Sequence, residues 1–220
     1  MDRFRDRIEA GARLSESLAA TLGNGAPPVV LGVPRGGVVV AAVVADRLAC
    51  EIDVLAVEKV GAPWNRELAL GAVGEGDALW LDHDLAVRVD DMTLQALIER
   101  ERLELAEKLA SIRRIQPRIE LTGRTAIIVD DGVATGSTVR AALMALAAAK
   151  PARRVLAVPV GPPETLAALE EIADLVVCPL RPAYFQAVGL WYESFEQVSQ
   201  RQVEEVFERR RRGERAIDVP

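Results

Sequence analysis

Short, continuous apolar runs recur along most of the chain and are separated by longer segments of a different pattern. Runs of this kind, bounded by glycine, proline or charged residues, are typical of strands that are buried on both faces. The five runs are residues 28–33, 52–60, 125–129, 154–160 and 175–180. They predict five buried strands.

The segments between and before these runs predict helices. Some carry apolar residues at a helical period among charges, and others are rich in alanine and valine. The predicted helices are residues 3–22, 38–49, 90–116, 138–149 and 163–172, the third capped by Asp90 and stopped by Pro117. Because short strands alternate with helices, the chain is predicted to be α/β, with a doubly wound, mainly parallel sheet and helices on both faces.

Two segments depart from this alternation. Residues 61–85 are rich in glycine and proline at their start, which predicts either a long loop or an irregular hairpin. Five of the nine aromatic residues lie between positions 184 and 195. We expect this aromatic cluster to lie outside the sheet.

Composition narrows the functional classes. Lys and Arg total 27 against 33 Asp and Glu, a formal charge of −6, and no basic run interleaves with aromatics, so a nucleic-acid partner is not expected. The charged N-terminus is unlike a secretory leader, and no apolar run approaches the about 18 residues of a membrane span. We therefore expect a cytoplasmic protein without membrane contact.

Metal-ligating residues are scarce. Cys50 and Cys178 are far apart, and His83 is the single histidine, so a structural zinc site is not expected. The two cysteines are interpreted as buried small apolar side chains, and His83 as exposed.

The third apolar run leads directly into Asp130 and Asp131, which are followed by Gly132-Val133-Ala134-Thr135-Gly136-Ser137-Thr138. A glycine-containing turn at a helix N-terminus presents free N–H groups that bind phosphate. The two carboxylates would repel that phosphate, so they are interpreted as acceptors for hydroxyl groups or as facing a cation. A sugar with a phosphate at one end and a diol at the other satisfies both halves.

A second loop, Pro34-Arg35-Gly36-Gly37, follows the first run. With five strands in the order 2-1-3-4-5, strands one and three are neighbours and their carboxyl ends meet where strand order reverses. Both loops then form one site. The motif lacks the lysine of a nucleotide-binding P-loop, and no G-x-G-x-x-G follows strand one. An acidic turn that merely caps a helix stays open as the alternative.

The stretch "VDDGVATGST" resembles the phosphoribosyl-pyrophosphate (PRPP) signature of the type I phosphoribosyltransferases. The stretches "LGVPRGGVVVAAVVADRL", "VEKVGAPWNRELALGAVGEG" and "AVGLWYESFEQVS" further resemble a bacterial group of these proteins, over most of residues 1–208. The resemblance implies one domain over 1–220: a core at about 26–180, a small hood built from 1–25 and 181–208, and a frayed tail at 209–220.

The resemblance also implies roles. Asp130 and Asp131 would bind the ribose hydroxyls, and the pyrophosphate would contact backbone amides of the 34–37 loop, often with a non-proline cis peptide. Mg²⁺ would be carried mainly by PRPP oxygens and water, with Asp130 and Asp131 as further candidate ligands. The residues expected to bind PRPP are Pro34, Arg35, Gly36, Gly37, Asp130, Asp131, Gly132, Val133, Ala134, Thr135, Gly136, Ser137 and Thr138.

The implied reaction is displacement of pyrophosphate from the anomeric carbon by a nitrogen nucleophile. The leaving group needs charge neutralisation more than the reaction needs a protein nucleophile. The candidate catalytic residues are Arg35 and Lys59, together with Asp130 and Asp131. Lys59 is placed at the end of strand two, with a solvent-facing lysine as the alternative. The 61–76 segment either closes over PRPP or is a plain surface hairpin.

The partner implied beside PRPP is a small nitrogenous acceptor. Family members that act on 6-oxopurines have an Asp where this chain has Ala134, so a 6-oxopurine is disfavoured. Phe185 and Trp191 are candidates to stack on an acceptor ring, and the alternative is that they form the core of a small lid. Two further hypotheses stay open: a homodimer, and a PRPP- or nucleotide-sensing regulatory protein without catalysis.

Overall fold

The computed structural model describes residues 3–23, 26–76 and 78–215, with the backbone alone for Arg66 and Glu67. The strands are β1 Val29–Gly32, β2 Glu51–Val54, β3 Val57–Ala62, β4 Asn65–Gly74, β5 Leu79–Leu81, β6 Thr125–Val129, β7 Arg153–Ala157 and β8 Leu175–Val177. The helices are α1 Arg7–Leu22, α2 Gly36–Arg47, α3 His83–Ala86, α4 Asp91–Ile115, α5 Ser137–Leu146, α6 Pro163–Glu170 and α7 Gln200–Arg211.

Five strands form a parallel sheet in the order β2-β1-β6-β7-β8. In chain order of the sheet strands this is 2-1-3-4-5, so the predicted α/β fold is confirmed. The apolar runs that lead into the sheet are continuous because both of its faces are covered. Strand β1 illustrates this, since Val30 packs with α1, α2 and α7 while Val29 and Leu31 pack with α5 and α6.

Three strands form a separate antiparallel sheet in the order β3-β4-β5. The prediction of one strand over 52–60 is wrong, because β2 ends at Val54. The N–H of Leu55 still bonds the Gly32 carbonyl, and the chain then leaves the parallel sheet and starts β3 at Val57. Segment 61–85 is the irregular hairpin of the two alternatives, with register shifts around Gly61.

The N-terminal residues meet the segment around residues 191–193, which follows the last strand of the sheet. The Phe4 N–H donates to the Trp191 carbonyl at 2.9 Å, and the Glu193 N–H donates to the Phe4 carbonyl at 2.8 Å. Helix α1 instead packs along α2, where Gly11 contacts Val43. The extent of the hood, predicted as 1–25 and 181–208, stays a prediction.

Helix α7 ends at Arg211, so it extends into the tail that was predicted to begin at residue 209. Residues 216–220 of that predicted tail lie outside the described residues. In the part of the chain that the structure describes, none of the helices has the length and apolarity to cross a membrane. Cys50 and Cys178 are both buried free thiols, as predicted, and burial raises the pKa of each to about 11.

Candidate active site

The Pro34–Gly37 loop lies directly against the acidic pair at the carboxyl ends of β1 and β6. A Cβ atom on Gly36 would lie 1.9 Å from the Asp131 Oδ2 atom, and one on Gly37 would lie 2.8 Å from the Asp130 Cα atom. Only glycine permits so close an approach of the two loops. The structure thus brings together the two motifs that the sequence predicts to share a site.

The peptide bond between Pro34 and Arg35 is cis, the geometry that the resemblance implies for this loop. Arg35 directly precedes α2, and its side chain is exposed at the edge of the site. The loop therefore presents its backbone and one cation to the same space.

Helix α5 begins with the predicted phosphate-binding turn. Gly136 precedes the helix with φ 73°, a left-handed conformation that favours glycine, and Ser137 is the first helical residue. The N–H groups of the first turn have no intrahelical acceptor. The Thr135 and Ser137 hydroxyls lie 3.3 Å apart, and the Thr165 hydroxyl fixes the turn by donating to the Ala134 carbonyl at 2.8 Å. This turn has the donors that a phosphate needs.

The middle of the motif is buried. The Val133 N–H donates to the Val160 carbonyl at 2.9 Å, and a Cβ atom on Gly132 would lie 2.6 Å from a methyl group of Val188. Gly132 and Val133 therefore connect the acidic pair to the turn that precedes α5. Val188 of the C-terminal segment packs against Gly132.

The acidic pair is electrostatically strained. Burial and the neighbouring Asp131 raise the pKa of Asp130 to about 8. The Asp131 N–H donates to the Asp130 Oδ1 atom at 2.8 Å, and this hydrogen bond opposes the increase. Burial also raises the pKa of Asp131, against the opposing effect of Arg7. Two carboxylates this close disfavour each other's ionisation, so the pair favours a ligand that supplies hydroxyl donors or positive charge.

Arg7 is a member of this site that the sequence analysis missed. Its Nε donates to the Asp131 Oδ2 atom at 2.8 Å, and both side chains are largely buried, with 11% and 15% exposed. The Glu196 carbonyl accepts from Arg7 Nη1 at 2.7 Å, and the guanidinium lies 4.0 Å from the Phe195 ring centroid. Asp6 is the N-cap of α1, so the helix begins at Arg7 and the position of this arginine is fixed by the cap.

Three of the five aromatic residues at 184–195 pack together with Phe4, namely Phe185, Trp191 and Tyr192, whereas Tyr184 is exposed. Phe185 and Trp191 stack on each other with centroids 6.4 Å apart, and Trp191 is buried beside Phe4 and Tyr192. The Tyr192 hydroxyl donates to the Asp131 carbonyl at 2.5 Å. The structure places Phe185 and Trp191 in the core of a small lid, which is one of the two predicted alternatives, and acceptor stacking by either ring stays a prediction.

Lys59 is not at the end of strand two. It lies in β3, where it pairs with Ala72 of β4, because the chain has already left the parallel sheet. The reasoning that placed Lys59 at the carboxyl edge is therefore wrong, and its catalytic role stays a prediction. His83 is exposed at the first residue of α3.

Protein ligands for a metal are few. Within residues 3–23, 26–76 and 78–215, no group of three or more His, Cys, Asp or Glu side chains could hold a metal ion. Asp130 and Asp131 are the two carboxylates at the site. This donor set fits Mg²⁺ that is bound through one or two carboxylates and substrate phosphates, and not through an all-protein cage.

Fold and site together define a class. The protein is of the α/β class, with a parallel sheet in the order 2-1-3-4-5. The acidic pair and the N-terminus of α5 lie at the carboxyl edge of this sheet, where strand order reverses and where sheets of this kind bind their ligands. The model of the phosphoribosyl transferase domain family matches residues 3–192, and the chain belongs to that family.

Comparisons with single proteins found similar chains from two bacterial species. Proteins from two strains of Mycobacterium tuberculosis, each provisionally named a phosphoribosyl transferase, are 43% identical to the chain over 205 residues. The match covers 92% of this chain and 46% of each relative, so the chain spans about half the length of these relatives. The crystal structure of TT1426 from Thermus thermophilus is similar with a TM-score of 0.87 and 47% identity, and the match covers 94% of this chain and 98% of that one.

Proposed function

We propose that the protein is a phosphoribosyltransferase that uses PRPP as the pentosyl donor. One observation carries the proposal: the 34–37 loop, the acidic pair and the α5 N-terminus converge at one edge of the sheet, in a chain of the phosphoribosyl transferase family. Each half of the site matches one part of PRPP.

The proposed roles follow from the chemistry of each group. The α5 turn binds the ribose phosphate through free N–H groups and the hydroxyls of Thr135, Ser137 and Thr138. Asp130 and Asp131 accept from the ribose hydroxyls, an arrangement that also relieves their mutual repulsion. The Pro34–Gly37 loop and Arg35 face the pyrophosphate and stabilise the charge that develops as it leaves.

We propose Mg²⁺ as the required cation. The two site carboxylates and the oxygens of PRPP are the ligands that Mg²⁺ prefers, and when bound the ion neutralises charge on the leaving group. In the described residues the two carboxylates alone do not make a cage, which supports binding together with PRPP.

The proposed acceptor is a small nitrogenous compound other than a 6-oxopurine. The position of Ala134 supports this, because it carries no carboxylate and its carbonyl is already an acceptor for the Thr165 hydroxyl. In the proposed reaction the nucleophile is a nitrogen atom of the acceptor, so no protein side chain has to supply it.

The test is release of pyrophosphate from labelled PRPP with Mg²⁺ and a panel of nucleobases and amines. We expect release that depends on one class of acceptor and that is lost in Asp130→Asn/Asp131→Asn. Saturable PRPP binding without release in any combination would instead support the sensing protein. Absence of PRPP binding would overturn both.

A further inference from the structure

A cavity of about 390 Å³ lies beside the 34–37 loop, and Gln200 at the start of α7 forms part of its wall. Arg35 and Thr138 form part of its wall, so it is continuous with both loops of the proposed PRPP site. Apolar side chains from β3 and α4, including Val57, Leu109 and Ile112, line much of the rest. A molecule in the site can therefore extend into this cavity.

One ion pair lies in the cavity wall. Lys108 Nζ of α4 lies 2.8 Å from Glu58 Oε1 of β3, and the lysine side chain is 58% exposed while the glutamate is 23% exposed. Glu58 raises the pKa of Lys108, so the lysine is a cation at neutral pH. An exposed pair of this kind contributes little to stability and is easily exchanged for another partner.

The charges divide the site into two ends. Asp130 and Asp131 lie at one end, with Arg7 paired to Asp131, whereas the cavity end holds Arg35 and Lys108 against the single carboxylate of Glu58. A pyrophosphate group bears several negative charges, so it competes effectively with one carboxylate for Lys108.

We propose that Lys108 is a ligand of the departing pyrophosphate, and that Glu58 holds this lysine in the free protein and releases it when pyrophosphate or PRPP binds. The assignment rests on the proposed function. It gives Lys108, on a helix far from both motifs in the sequence, the part that the sequence analysis assigned to Lys59. It also explains why an ion pair faces a cavity at the pyrophosphate loop.

The test is binding of pyrophosphate with Mg²⁺, and separately of PRPP with Mg²⁺, measured by titration calorimetry. Lys108→Gln is expected to weaken pyrophosphate binding about tenfold, because a charged hydrogen bond is lost. Glu58→Gln is expected to tighten it about threefold, because the lysine no longer has a competing partner. The double variant should bind like Lys108→Gln, since Glu58 acts through the lysine.

Two variants serve as matched controls. Lys150→Gln removes one positive charge at the opposite edge of the sheet and is the control for Lys108→Gln. Glu171→Gln removes one negative charge at the C-terminal end of α6 and is the control for Glu58→Gln. Thermal unfolding of each variant checks that the fold is kept. If wild type binds both ligands but Lys108→Gln has the same affinity as Lys150→Gln, or if Glu58→Gln weakens binding, the proposed role of Lys108 is overturned and the proposed function is not. If wild type binds neither ligand, the proposed function fails with it.

Discussion

Asp131 forms an ion pair with Arg7, and any ligand that binds Asp131 must do so in the presence of this pair. Arg7 holds its carboxylate in a largely buried environment, and the ligand would have to share that carboxylate or displace the arginine. The Phe195 ring and the Glu196 carbonyl keep the arginine in place. The N-terminal helix is thereby coupled to the acidic pair through one side chain.

Replacing Arg7 tests this coupling. Arg7→Gln leaves Asp131 largely buried without its cation, and we expect the free energy of unfolding to fall by about 2 to 3 kcal/mol. Urea unfolding followed by circular dichroism measures the change. The exposed Arg3→Gln is the control, and an equal effect of the two substitutions would show that the ion pair contributes nothing specific.

The raised pKa of Asp130 predicts a pH dependence of stability. Its pKa is about 8 in the folded protein, above the ordinary value, so the native state binds the extra proton. The resulting stabilisation is fully present below the unfolded pKa and is lost as pH rises through about 8. Asp130→Asn removes this loss.

We therefore expect the melting temperature of Asp130→Asn to exceed that of wild type by a margin that grows from pH 5 to pH 8.5. Differential scanning calorimetry across that range measures it. Asp84→Asn, at an exposed position, is the control. A constant margin at all pH values would contradict the raised pKa.

For single residues, the sequence predicts the site motifs better than it predicts the distant side chains that contact them. Asp130, Asp131 and the 34–37 loop were predictable because strand-end position and glycine spacing are local signals. Arg7 was not, because its ion pair joins residues 124 positions apart and nothing in the first turn of α1 marks it. Lys59 was misplaced because its role depended on where β2 ends.

Among the secondary-structure elements, one arginine of α4 links the parallel sheet to the β3-β4-β5 sheet through ion pairs. Arg113 of α4 donates to Asp53 of β2 at 2.7 Å and to both oxygens of Glu75, in the turn after β4, at 2.6 Å. Asp53 is buried, and burial raises its pKa against the effect of Arg113. The three charges join β2, α4 and the hairpin.

Arg113→Ala is expected to lower the free energy of unfolding by about 3 to 5 kcal/mol, because it leaves a buried carboxylate unpaired. Adding Asp53→Asn should restore part of the loss by removing that charge. Chemical denaturation of the single and double variants measures both. A double variant no more stable than the single one would show that the buried charge is not the cause.

The parallel strands were predictable and the second sheet was not. Strands β1, β6, β7 and β8 each contain a continuous apolar run that ends before a proline or a charge, and this pattern is visible without tertiary information. The run at 52–60 spans two strands of different sheets, since Leu55 and Ala56 are apolar where the chain turns out of the sheet. Pairing with β4, and not local pattern, defines β3.

At the scale of the whole molecule, the distribution of charge matters more than its sum. The chain carries a formal charge of −6, yet its proposed ligand is a polyanion. Arg35, Lys108 and the N-terminus of α5 place positive charge at the parts of the site that are proposed to bind phosphate groups. The overall fold and the location of the site follow from strand order alone, whereas the acceptor and the homodimer stay predictions.

The central claim is that the acidic pair and the two loops form a PRPP site. Titration calorimetry of the protein with PRPP and Mg²⁺ tests it most directly, with Asp130→Asn/Asp131→Asn as the variant. We expect saturable one-to-one binding by wild type and a loss of at least about tenfold in the variant, because charged acceptors for the ribose hydroxyls are removed. Equal binding by the two proteins, or no binding by wild type, would contradict the account.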